Sequence, residues 1–341
     1  MRTDGLNTAL RALLVRAGAS AAKLEIEPCA AGGNNRVYDV TADGRRFIAK
    51  HYFSILSDPR DRLGAEYAFL EYATAIGLRC VPRALAIDRH AGLALHEYIE
   101  GRRIEPQELV PAHVEQALEF LRALNDAGHR ERAARLPAAS EACFSIDEQL
   151  ALVDGRIARL ARIERHSEFD AVAIEFSARL RSAWPGLTKR VLAEAARRGI
   201  DASTPLAAED RCVSPSDFGF HNALARRSGE LAFLDFEYAG WDDPAKAVGD
   251  FFSQPAVPVS ATHFERFLLR AVDYSPRAEM LTERARLLLP VFRIKWCCIV
   301  LNDFLPDLLA RRKFADPDLD ETGRKRAQLG KAERLLSTIH H

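Results

Sequence analysis

The chain carries at positions 214–222 the sequence Ser214-Pro215-Ser216-Asp217-Phe218-Gly219-Phe220-His221-Asn222, and Asp235-Phe236-Glu237 follows after the next apolar run. An Asp, an Asn five positions on and a second Asp form the set of side chains that phosphoryl transfer requires. Asp217 is the candidate that orients an acceptor hydroxyl, whereas Asn222 and Asp235 are candidate ligands for Mg²⁺ on nucleotide phosphates. The spacing favours phosphoryl transfer if a phosphate-binding part lies upstream.

A turn, a hairpin and a strand lysine lie upstream of that stretch. Ala31-Gly32-Gly33-Asn34-Asn35 predicts a turn, because Gly and Asn tolerate positive φ, and backbone N–H groups in such a turn can approach phosphates closely. A strand at 37–40, a hairpin at Asp43-Gly44 and a return strand at 46–53 follow, with Lys50 on the return strand. Taken alone, the turn also fits an ordinary hairpin entry and the lysine a solvent-exposed side chain.

The remaining pattern predicts a small sheet followed by a mostly helical region. Asp58-Pro59 predicts the start of a helix that stops at Gly77, and two strands are expected at 81–87 and 93–99. After Gly101 the periodicity is helical apart from the segment 213–235, a loop followed by two short strands at 223–225 and 231–234 that precede Asp235. The expected helices span 111–127, 146–163, 168–198 with an interruption at Pro185, and 262–336 with breaks at Pro290 and Pro306.

Composition sets limits on the class of protein. The 341 residues can form two compact domains, and 48% apolar with 28% charged residues is typical of a globular protein. A formal net charge of zero argues against a nucleic-acid binder. The sequence shows no apolar run of roughly 18 residues and no signal-like N-terminus, so we expect no membrane partner and a cytoplasmic location. The six cysteines show no metal-type spacing, and we interpret adjacent Cys297 and Cys298 as buried apolar residues.

The order of these parts resembles that of protein-kinase-like enzymes. The local patterns from about residue 26 to 252 resemble the aminoglycoside phosphotransferase and choline kinase branch, whose members are small-molecule kinases. The resemblance implies an α+β, bilobal protein-kinase-like fold. Its N-terminal nucleotide-binding lobe, a small antiparallel sheet, would span 1–98. Its larger, mostly helical C-terminal lobe would span 99–341 and hold the catalytic loop, the metal site and the acceptor site.

The resemblance also assigns a role to residues of the N-terminal region. Gly32, Gly33, Asn34 and Asn35 match the nucleotide loop. Lys50 matches the lysine that contacts the α- and β-phosphates and pairs with a helix glutamate. Glu66 is the candidate partner, and Glu71, five residues on and on a different helix face, competes with it. The segment 95–101 matches the linker between the lobes, whose backbone near His96 and Tyr98 would bind the adenine edge.

The catalytic loop of the family reads His-Gly-Asp-x-His-x-x-Asn. By this pattern Asp217 matches the catalytic Asp, Asn222 and Asp235 match the metal-binding pair, and Asp250 matches an Asp that braces the loop. Glu237 either assists a second ion or bonds to backbone. Both loop histidines are missing from their usual places: Pro215-Ser216 replaces His-Gly, and a histidine, His221, stands one residue before the Asn instead. In the family the histidine before the catalytic Asp is mainly an architectural brace, so Pro215 is compatible with a working site, and proline stiffens a loop by fixing φ.

The acceptor is expected between the catalytic loop and the C-terminal helices. Arg293, Trp296 and Asn302 are candidates for an acceptor surface, an aromatic platform with polar donors; alternatively, Trp296 belongs to the core and Arg293 is a surface charge. A cationic aminoglycoside would need a dense acidic pocket, whereas basic residues are interspersed here. We therefore expect a hydroxylated metabolite such as a sugar or sugar derivative. The basic run 311–313 is interpreted as a solvated helix face.

The combined expectation is a kinase that uses ATP (or GTP) and Mg²⁺ to phosphorylate a hydroxyl group of a small molecule. Two alternatives remain open. One is a weak or inactive relative that binds nucleotide and acts as a regulatory protein. The other is a kinase-fold enzyme that binds the nucleotide flipped and transfers AMP.

Overall fold

One antiparallel sheet forms the small lobe of the protein, and helices form most of the larger lobe. A computed structural model describes residues 3–29, 34–53, 60–316 and 318–338. The strands are β1 (Leu24–Cys29), β2 (Arg36–Ala42), β3 (Arg45–His51), β4 (Ala84–Asp88), β5 (Leu93–Glu97), β6 (Arg102–Arg103), β7 (Cys212–Ser214), β8 (Ala223–Ala225), β9 (Leu231–Phe233) and β10 (Gly240–Asp242). The helices are α1 (Thr3–Arg16), α2 (Arg62–Ala75), α3 (Pro111–Leu124), α4 (Arg130–Ala133), α5 (Ile146–Arg159), α6 (Glu168–Arg197), α7 (Pro244–Ser253), α8 (Phe264–Ala271), α9 (Ala278–Val300), α10 (Pro306–Ala315) and α11 (Glu321–Ser337).

The sheet of the small lobe has the strand order β1-β2-β3-β5-β4 and is antiparallel throughout. Helix α1 covers one face, where Leu10 and Leu13 pack with Phe47 in an apolar cluster. Side chains alternate between the two faces of a strand, so Lys50, an odd number of residues from Phe47, points to the opposite face. The sequence predicted the antiparallel sheet and strands that correspond to β2 to β5, whereas β1 and the strand order come from the structure, which places the lysine on the side away from α1.

Local turn chemistry sets the ends of the elements around that lysine. The predicted hairpin at Asp43-Gly44 is present, with φ values of 47° and 80°. Helix α2 begins after Asp61, whose carboxylate accepts a hydrogen bond from the Gly64 N–H at 2.8 Å. Asp58-Pro59, expected to open this helix, lies outside the described residues, as do the two glycines of the predicted turn at 31–33.

The sequence predicted that Pro185 and Pro290 interrupt helices of the large lobe, but both helices are continuous. Helix α6 continues through Pro185, and α9 continues through Pro290. A proline inside a helix removes one hydrogen bond and costs about 3 kcal/mol. Buried neighbours such as Trp184 and Phe292 offset that cost by packing into the core. Pro306, by contrast, begins α10 at its first position, where proline is well accommodated. Over the described ranges no helix has the length and apolar character to cross a bilayer.

A column of phenylalanine rings links α2 of the small lobe to the middle of the large lobe. Phe69 stacks on Phe236 with ring centroids 4.5 Å apart, and Phe236 lies 6.2 Å from Phe120 on α3. Phe218 then lies 5.8 Å from Phe120 and 4.9 Å from Phe251 on α7. Aromatic pairs at these distances add stabilisation beyond the area they bury. The column fixes the position of the segments that carry residues 217 and 235.

Candidate active site

Lys50 of β3 lies between two carboxylates on the inner face of the sheet. Its Nζ donates to Glu66 Oε2 at 2.7 Å and also to Asp235. The Tyr52 hydroxyl donates to the same Glu66 oxygen at 2.6 Å, and the Phe236 N–H donates to the other Glu66 oxygen at 3.2 Å. Burial alone would lower the pKa of Lys50, but the two carboxylates hold it well above its usual value. The structure thus pairs the strand lysine with Glu66, whereas the side chain of Glu71 is exposed.

Asp235 lies at the open end of this cluster. Its φ of 66° is uncommon for a non-glycine residue and turns the side chain towards Lys50. About a third of the side chain (35%) remains exposed. Burial raises the pKa of Asp235 to about 6, since the nearby carboxylates of Glu237 and Glu66 add to desolvation and together exceed the attraction of Lys50. A bound cation would stabilise the ionised form of this carboxylate, which burial and its acidic neighbours destabilise.

His96 and Tyr98 mark the passage from the sheet to the large lobe. The imidazole of His96 is buried and both of its ring nitrogens have no hydrogen-bond partner among the described residues. Burial lowers the pKa of His96 to about 4, so the ring is neutral at pH 7. Tyr98 follows the end of β5, and the Arg46 guanidinium lies 3.7 Å from the centre of its ring. His96 lies inside the sheet, where it pairs with Ile48 of β3 and Ala84 of β4. Tyr98 is the first residue after β5.

The two asparagines of the predicted nucleotide loop bind to a single carboxylate. Asn35 Nδ2 donates to Glu237 Oε2 at 2.6 Å, and Asn34 Nδ2 donates to Glu237 Oε1 at 3.1 Å. The Phe53 N–H donates to Asn35 Oδ1 at 3.0 Å, which ties the loop to the end of β3. Glu237 is buried, and both of its carboxylate oxygens accept from these side chains. It anchors the loop side chains of the small lobe to the large lobe.

The candidate catalytic loop, residues 215–222, follows β7 and is held in place by a contact from α7. Ser216 has a φ of 66°, and its hydroxyl accepts a hydrogen bond from Lys246 Nζ at 2.9 Å. Asn222 Nδ2 donates to the Asp217 carbonyl at 2.9 Å, which closes the loop and leaves the Asn222 Oδ1 to face other partners. His221 Nε2 lies 3.1 Å from Asp217 Oδ1. The histidine that the sequence placed out of its usual position therefore contacts the candidate catalytic carboxylate.

The electrostatic surroundings of Asp217 favour its ionised form. Burial alone would raise its pKa, but His221, the Asn222 amide and the more distant Arg312 hold the pKa of Asp217 below its usual value. A carboxylate in this state accepts a hydrogen bond from a hydroxyl group at neutral pH. The loop can therefore orient an acceptor hydroxyl without prior deprotonation of Asp217.

Asp250 lies beneath the loop, and Lys246 stands between its carboxylate and the loop. Its carboxylate accepts from Lys295 Nζ at 2.5 Å and from the Trp296 indole N–H at 2.9 Å, both on α9. Lys246 Nζ lies 3.9 Å from Asp250 and donates to the Ser216 hydroxyl, so the brace expected from the sequence acts indirectly. Helices α7 and α9 approach closely here, since a Cβ added at Gly249 would lie 2.2 Å from the Phe292 ring.

A cavity of about 400 Å³ opens between the catalytic loop and the C-terminal helices. Asp217, Asn222 and Asp235 all line it, together with Trp296 and Asn302. Arg293 is not brought to this cavity. It lies on another face of α9, where its guanidinium donates to the Thr338 carbonyl at the end of α11. Of the three acceptor residues expected from the sequence, the structure therefore assembles two.

Helix α10 crosses from the large lobe to the small lobe at the rim of the cavity. Arg312 donates to Asp303 at 3.0 Å and to Asn34 Oδ1 at 2.9 Å, and Arg36 of β2 donates to the Phe314 carbonyl at 2.8 Å. Arg311 is buried and lines the cavity with Arg312. The interpretation of 311–313 as a solvated face is thus wrong for the two arginines, because α10 packs against the small lobe.

Sequence reasoning also missed basic residues in the wall of the cavity. These are Arg156 and Arg159 of α5, Lys246 of α7, Lys295 of α9 and Lys331 of α11. The two arginines are three residues apart, which predicts a shared helix face, yet a solvated face of an amphipathic helix shows the same pattern. Without the packing of α5 against α9, the sequence gives no sign that this face lines a cavity.

Residues 25–253, more than half of the chain, match the phosphotransferase enzyme family. The chain belongs to this family. The match includes the five-stranded sheet from the second residue of β1, residues 215–222 and all of α7. It therefore includes residues of both lobes that line the cavity, whereas α9, α10 and α11 lie beyond it. No curated protein matches the sequence.

Among the solved structures that share the fold are proteins named as small-molecule kinases or phosphotransferases. A choline kinase from Cryptosporidium parvum aligns with a TM-score of 0.58 at 11% identity, covering 100% of each chain. A choline/ethanolamine kinase family protein from Mesorhizobium loti aligns with a TM-score of 0.58 at 20% identity, over 99% of this chain and 96% of that one. A spectinomycin phosphotransferase in complex with ADP and spectinomycin has a TM-score of 0.58 at 11% identity, over 98% and 99% of the chains. The fold is thus the bilobal α+β kinase-like fold expected from the sequence.

Proposed function

We propose that this protein is a small-molecule kinase, which transfers the γ-phosphoryl group of ATP (or GTP) to a hydroxyl group of a metabolite. One observation carries the proposal: Asp217, Asn222 and Asp235 line the same cavity, next to the Lys50–Glu66 pair. The first can orient a hydroxyl and the other two offer oxygen ligands to a cation. Membership in the phosphotransferase family supports this assignment.

The small lobe supplies the nucleotide half of the proposed site. The ammonium of Lys50 would contact the α- and β-phosphates beneath Gly32, Gly33, Asn34 and Asn35, and Glu66 would hold it in place. The backbone near His96 and Tyr98 would bind the base. The spectinomycin phosphotransferase of similar fold was solved with ADP, which agrees with nucleotide use by this fold.

The donor set fits Mg²⁺. Asn222 Oδ1 and the Asp235 carboxylate are hard oxygen ligands, and Mg²⁺ in such enzymes usually takes one or two protein ligands with phosphates and water. The raised pKa of Asp235, caused by burial and by its acidic neighbours, indicates a location that favours a cation. When bound, the ion would neutralise charge on the phosphates and hold them in line with the acceptor.

The residues of this chain would direct a single in-line displacement. The acceptor oxygen forms a bond to the γ-phosphorus while the bond between that phosphorus and the β,γ-bridging oxygen breaks, and ADP leaves with the bond electrons. Asp217 holds the acceptor hydroxyl at the start and accepts its proton late in the step, then releases the proton to solvent. His221, in contact with Asp217, keeps the carboxylate oriented and ionised. Lys50 holds the α- and β-phosphates while charge shifts to ADP.

Sugar specificity receives no support from the cavity. Arg293, one of the donors expected for a sugar surface, lies outside it, and the indole N–H of Trp296 is used by Asp250. The comparisons show a family of phosphotransferases, and none of the similar structures described above is named for a sugar. The acceptor is therefore assigned here only as a small hydroxylated compound.

One experiment distinguishes the proposal from its alternatives. The purified protein is incubated with ATP, Mg²⁺ and a cellular metabolite extract, and the nucleotide products are read by ³¹P NMR while acceptors are found by a mass increase of one phosphoryl group. We expect ADP and a phosphorylated acceptor. Pyrophosphate in place of ADP would instead indicate AMP transfer, and unchanged ATP across the extract would indicate a nucleotide-binding protein without this activity.

A further inference from the structure

We propose that the acceptor is an anion: a small hydroxylated compound with a carboxylate or phosphate group that binds Arg156, Arg159 and Lys331 in the wall of the cavity. The inference depends on the proposed phosphoryl transfer and adds the chemical class of the second substrate. Carboxylate and phosphate share the oxyanion chemistry that guanidinium groups recognise, often in bidentate geometry.

The lining of the cavity is strongly basic. Among the described residues, nine arginine and lysine side chains line it against four aspartates and glutamates. Two of the acids, Asp217 and Asp235, belong to the reaction centre. Asp250 is bound by Lys295 and Trp296, and Glu141 is bound by Arg156 at 2.6 Å. Among the described lining residues, no carboxylate is therefore left to receive a cationic group of an acceptor.

Two arginines in the wall have N–H groups for which the described residues supply no acceptor. The only hydrogen bond of the Arg159 guanidinium in the described part of the chain goes to Asn302 Oδ1 at the long distance of 3.5 Å, and its buried Nε has no partner. Arg156 contacts Glu141 with Nη2, whereas its Nε and Nη1 are buried and have no partner in the portion of the chain that the structure describes. Buried donors that lack an acceptor are costly, and a bound oxyanion would satisfy them.

Lys331 adds a third charge from α11. It is half-buried, and within residues 3–29, 34–53, 60–316 and 318–338 it makes no ion pair. Burial and the neighbouring Arg324 lower the pKa of Lys331, and burial and Arg156 lower that of Arg159. An anion beside these side chains would reverse both effects. In contrast, Arg312 and Arg324 already share the buried carboxylate of Asp303, at 3.0 and 2.6 Å.

These cations belong to the acceptor side of the site. Arg156 and Arg159 lie on α5, which packs against α9 in the helical lobe, and Lys331 lies on α11, which also packs against α9. The lysine suited to the triphosphate, Lys50, is on the sheet of the opposite lobe. Choline, for which two similar structures are named, is a quaternary ammonium ion that aromatic or acidic sites bind. A basic wall would repel such a cation, so the shared fold does not imply that this chain phosphorylates choline.

A panel of acceptors tests the inference directly. The protein is supplied with ATP, Mg²⁺ and matched compounds of four kinds: hydroxy acids, sugar phosphates, neutral sugars or polyols, and amino alcohols that include choline. We expect the highest kcat/KM for one of the first two kinds, and those two arms separate carboxylate from phosphate recognition. A neutral or cationic acceptor with the highest kcat/KM would overturn the inference and leave the kinase function intact. If none of the four kinds of compound leads to ADP formation, the result would count against the kinase function itself.

Substitutions at Arg159 test whether this residue binds the anionic group of the acceptor. Arg159→Gln should raise the KM for the anionic acceptor about ten- to hundredfold, the loss expected for a hydrogen bond between charged groups, with the KM for ATP unchanged. Arg159→Lys should recover part of the loss because it keeps the charge. The control is Arg162→Gln, which removes an exposed charge paired with Asp307 just beyond α5 and outside the cavity. Equal effects of the Arg159 and Arg162 changes would contradict a specific contact.

A binding measurement covers the case in which no acceptor turns over. Inorganic phosphate is titrated into the wild type, Arg159→Gln and Lys50→Met by calorimetry. We expect millimolar or tighter binding that Lys50→Met retains and Arg159→Gln loses. Loss in Lys50→Met alone would place the phosphate on the nucleotide side, and absence of binding in the wild type would remove the anion site. Either result overturns the inference, whether or not the protein is a kinase.

Discussion

Replacement of Lys50 by methionine removes the cation from a buried cluster and keeps most of its apolar bulk. Glu66, only 4% exposed, would keep the Tyr52 hydroxyl and the Phe236 N–H as donors but lose its counter-ion. A buried charge that loses its partner typically costs about 3–5 kcal/mol. Glu66 can limit this cost by taking up a proton. Asp235, a third exposed, can be stabilised by water instead and contributes less.

The cost of that proton sets the size of the effect and its dependence on pH. For a carboxyl with an ordinary pKa of 4.5, protonation costs about 3.4 kcal/mol at pH 7 and about 0.8 kcal/mol at pH 5. In the wild type, burial opposes ionisation but Lys50 holds the pKa of Glu66 below its usual value, so ionised Glu66 favours folding above about pH 4.5 and this contribution is lost as pH falls. In Lys50→Met the counter-ion is gone while the Tyr52 and Phe236 hydrogen bonds remain, so burial becomes the dominant influence and raises that pKa, and the variant loses stability as pH rises.

We therefore expect Lys50→Met to lower the free energy of unfolding by about 3 kcal/mol at pH 7 and by less than about 1 kcal/mol at pH 5, measured by urea titration. The double variant Lys50→Met/Glu66→Gln should regain most of the stability at pH 7 and stay inactive. Glu71→Gln, a change on the exposed face of α2, is the matched control and should resemble the wild type. Equal losses at both pH values, or no recovery in the double variant, would refute the reasoning.

Further predictions concern the catalytic loop and the cation site. Asp217→Asn should lower kcat by about 10²–10⁴-fold and leave the affinity for a non-hydrolysable ATP analogue unchanged by calorimetry; a large loss of affinity would argue against its role at the acceptor. His221→Gln should move the acidic limb of the kcat–pH profile to higher pH, because His221 helps to keep the pKa of Asp217 low; an unmoved limb would contradict this. Asp235→Asn should lower turnover at least about 100-fold at any Mg²⁺ concentration while thermal unfolding stays cooperative, whereas wild-type turnover would exclude Asp235 as a ligand.

The sequence predicted the parts of the fold that local chemistry determines. The hairpin at Asp43-Gly44 requires positive φ, and Asp and Gly supply it. The same hairpin signal placed the strands on either side of it, including the one that carries Lys50, and the segment from Asp217 to Asp235 indicated a loop followed by two short strands. These signals depend on residues close together in the chain.

The missed features depend on contacts between distant segments. Pro185 and Pro290 look like helix breaks locally, and only the burial of their neighbours keeps α6 and α9 continuous. Arg159 looks like a solvated charge until α5 meets α9. Glu237 contacts Asn34 and Asn35, which precede it by about two hundred residues, so spacing along the chain cannot reveal the anchor.

Helix α10 has a practical consequence for work with this protein. It lies close to the C-terminus, yet Arg312 and Phe314 bind the nucleotide-loop strand and its arginines wall the cavity. A version shortened before Pro306 would open the cavity to solvent on one side and release Asn34 from one of its contacts, so a loss of activity after truncation would not identify a separate regulatory tail. Affinity tags and fusion partners are better placed beside α1, which covers the face of the sheet that points away from the site.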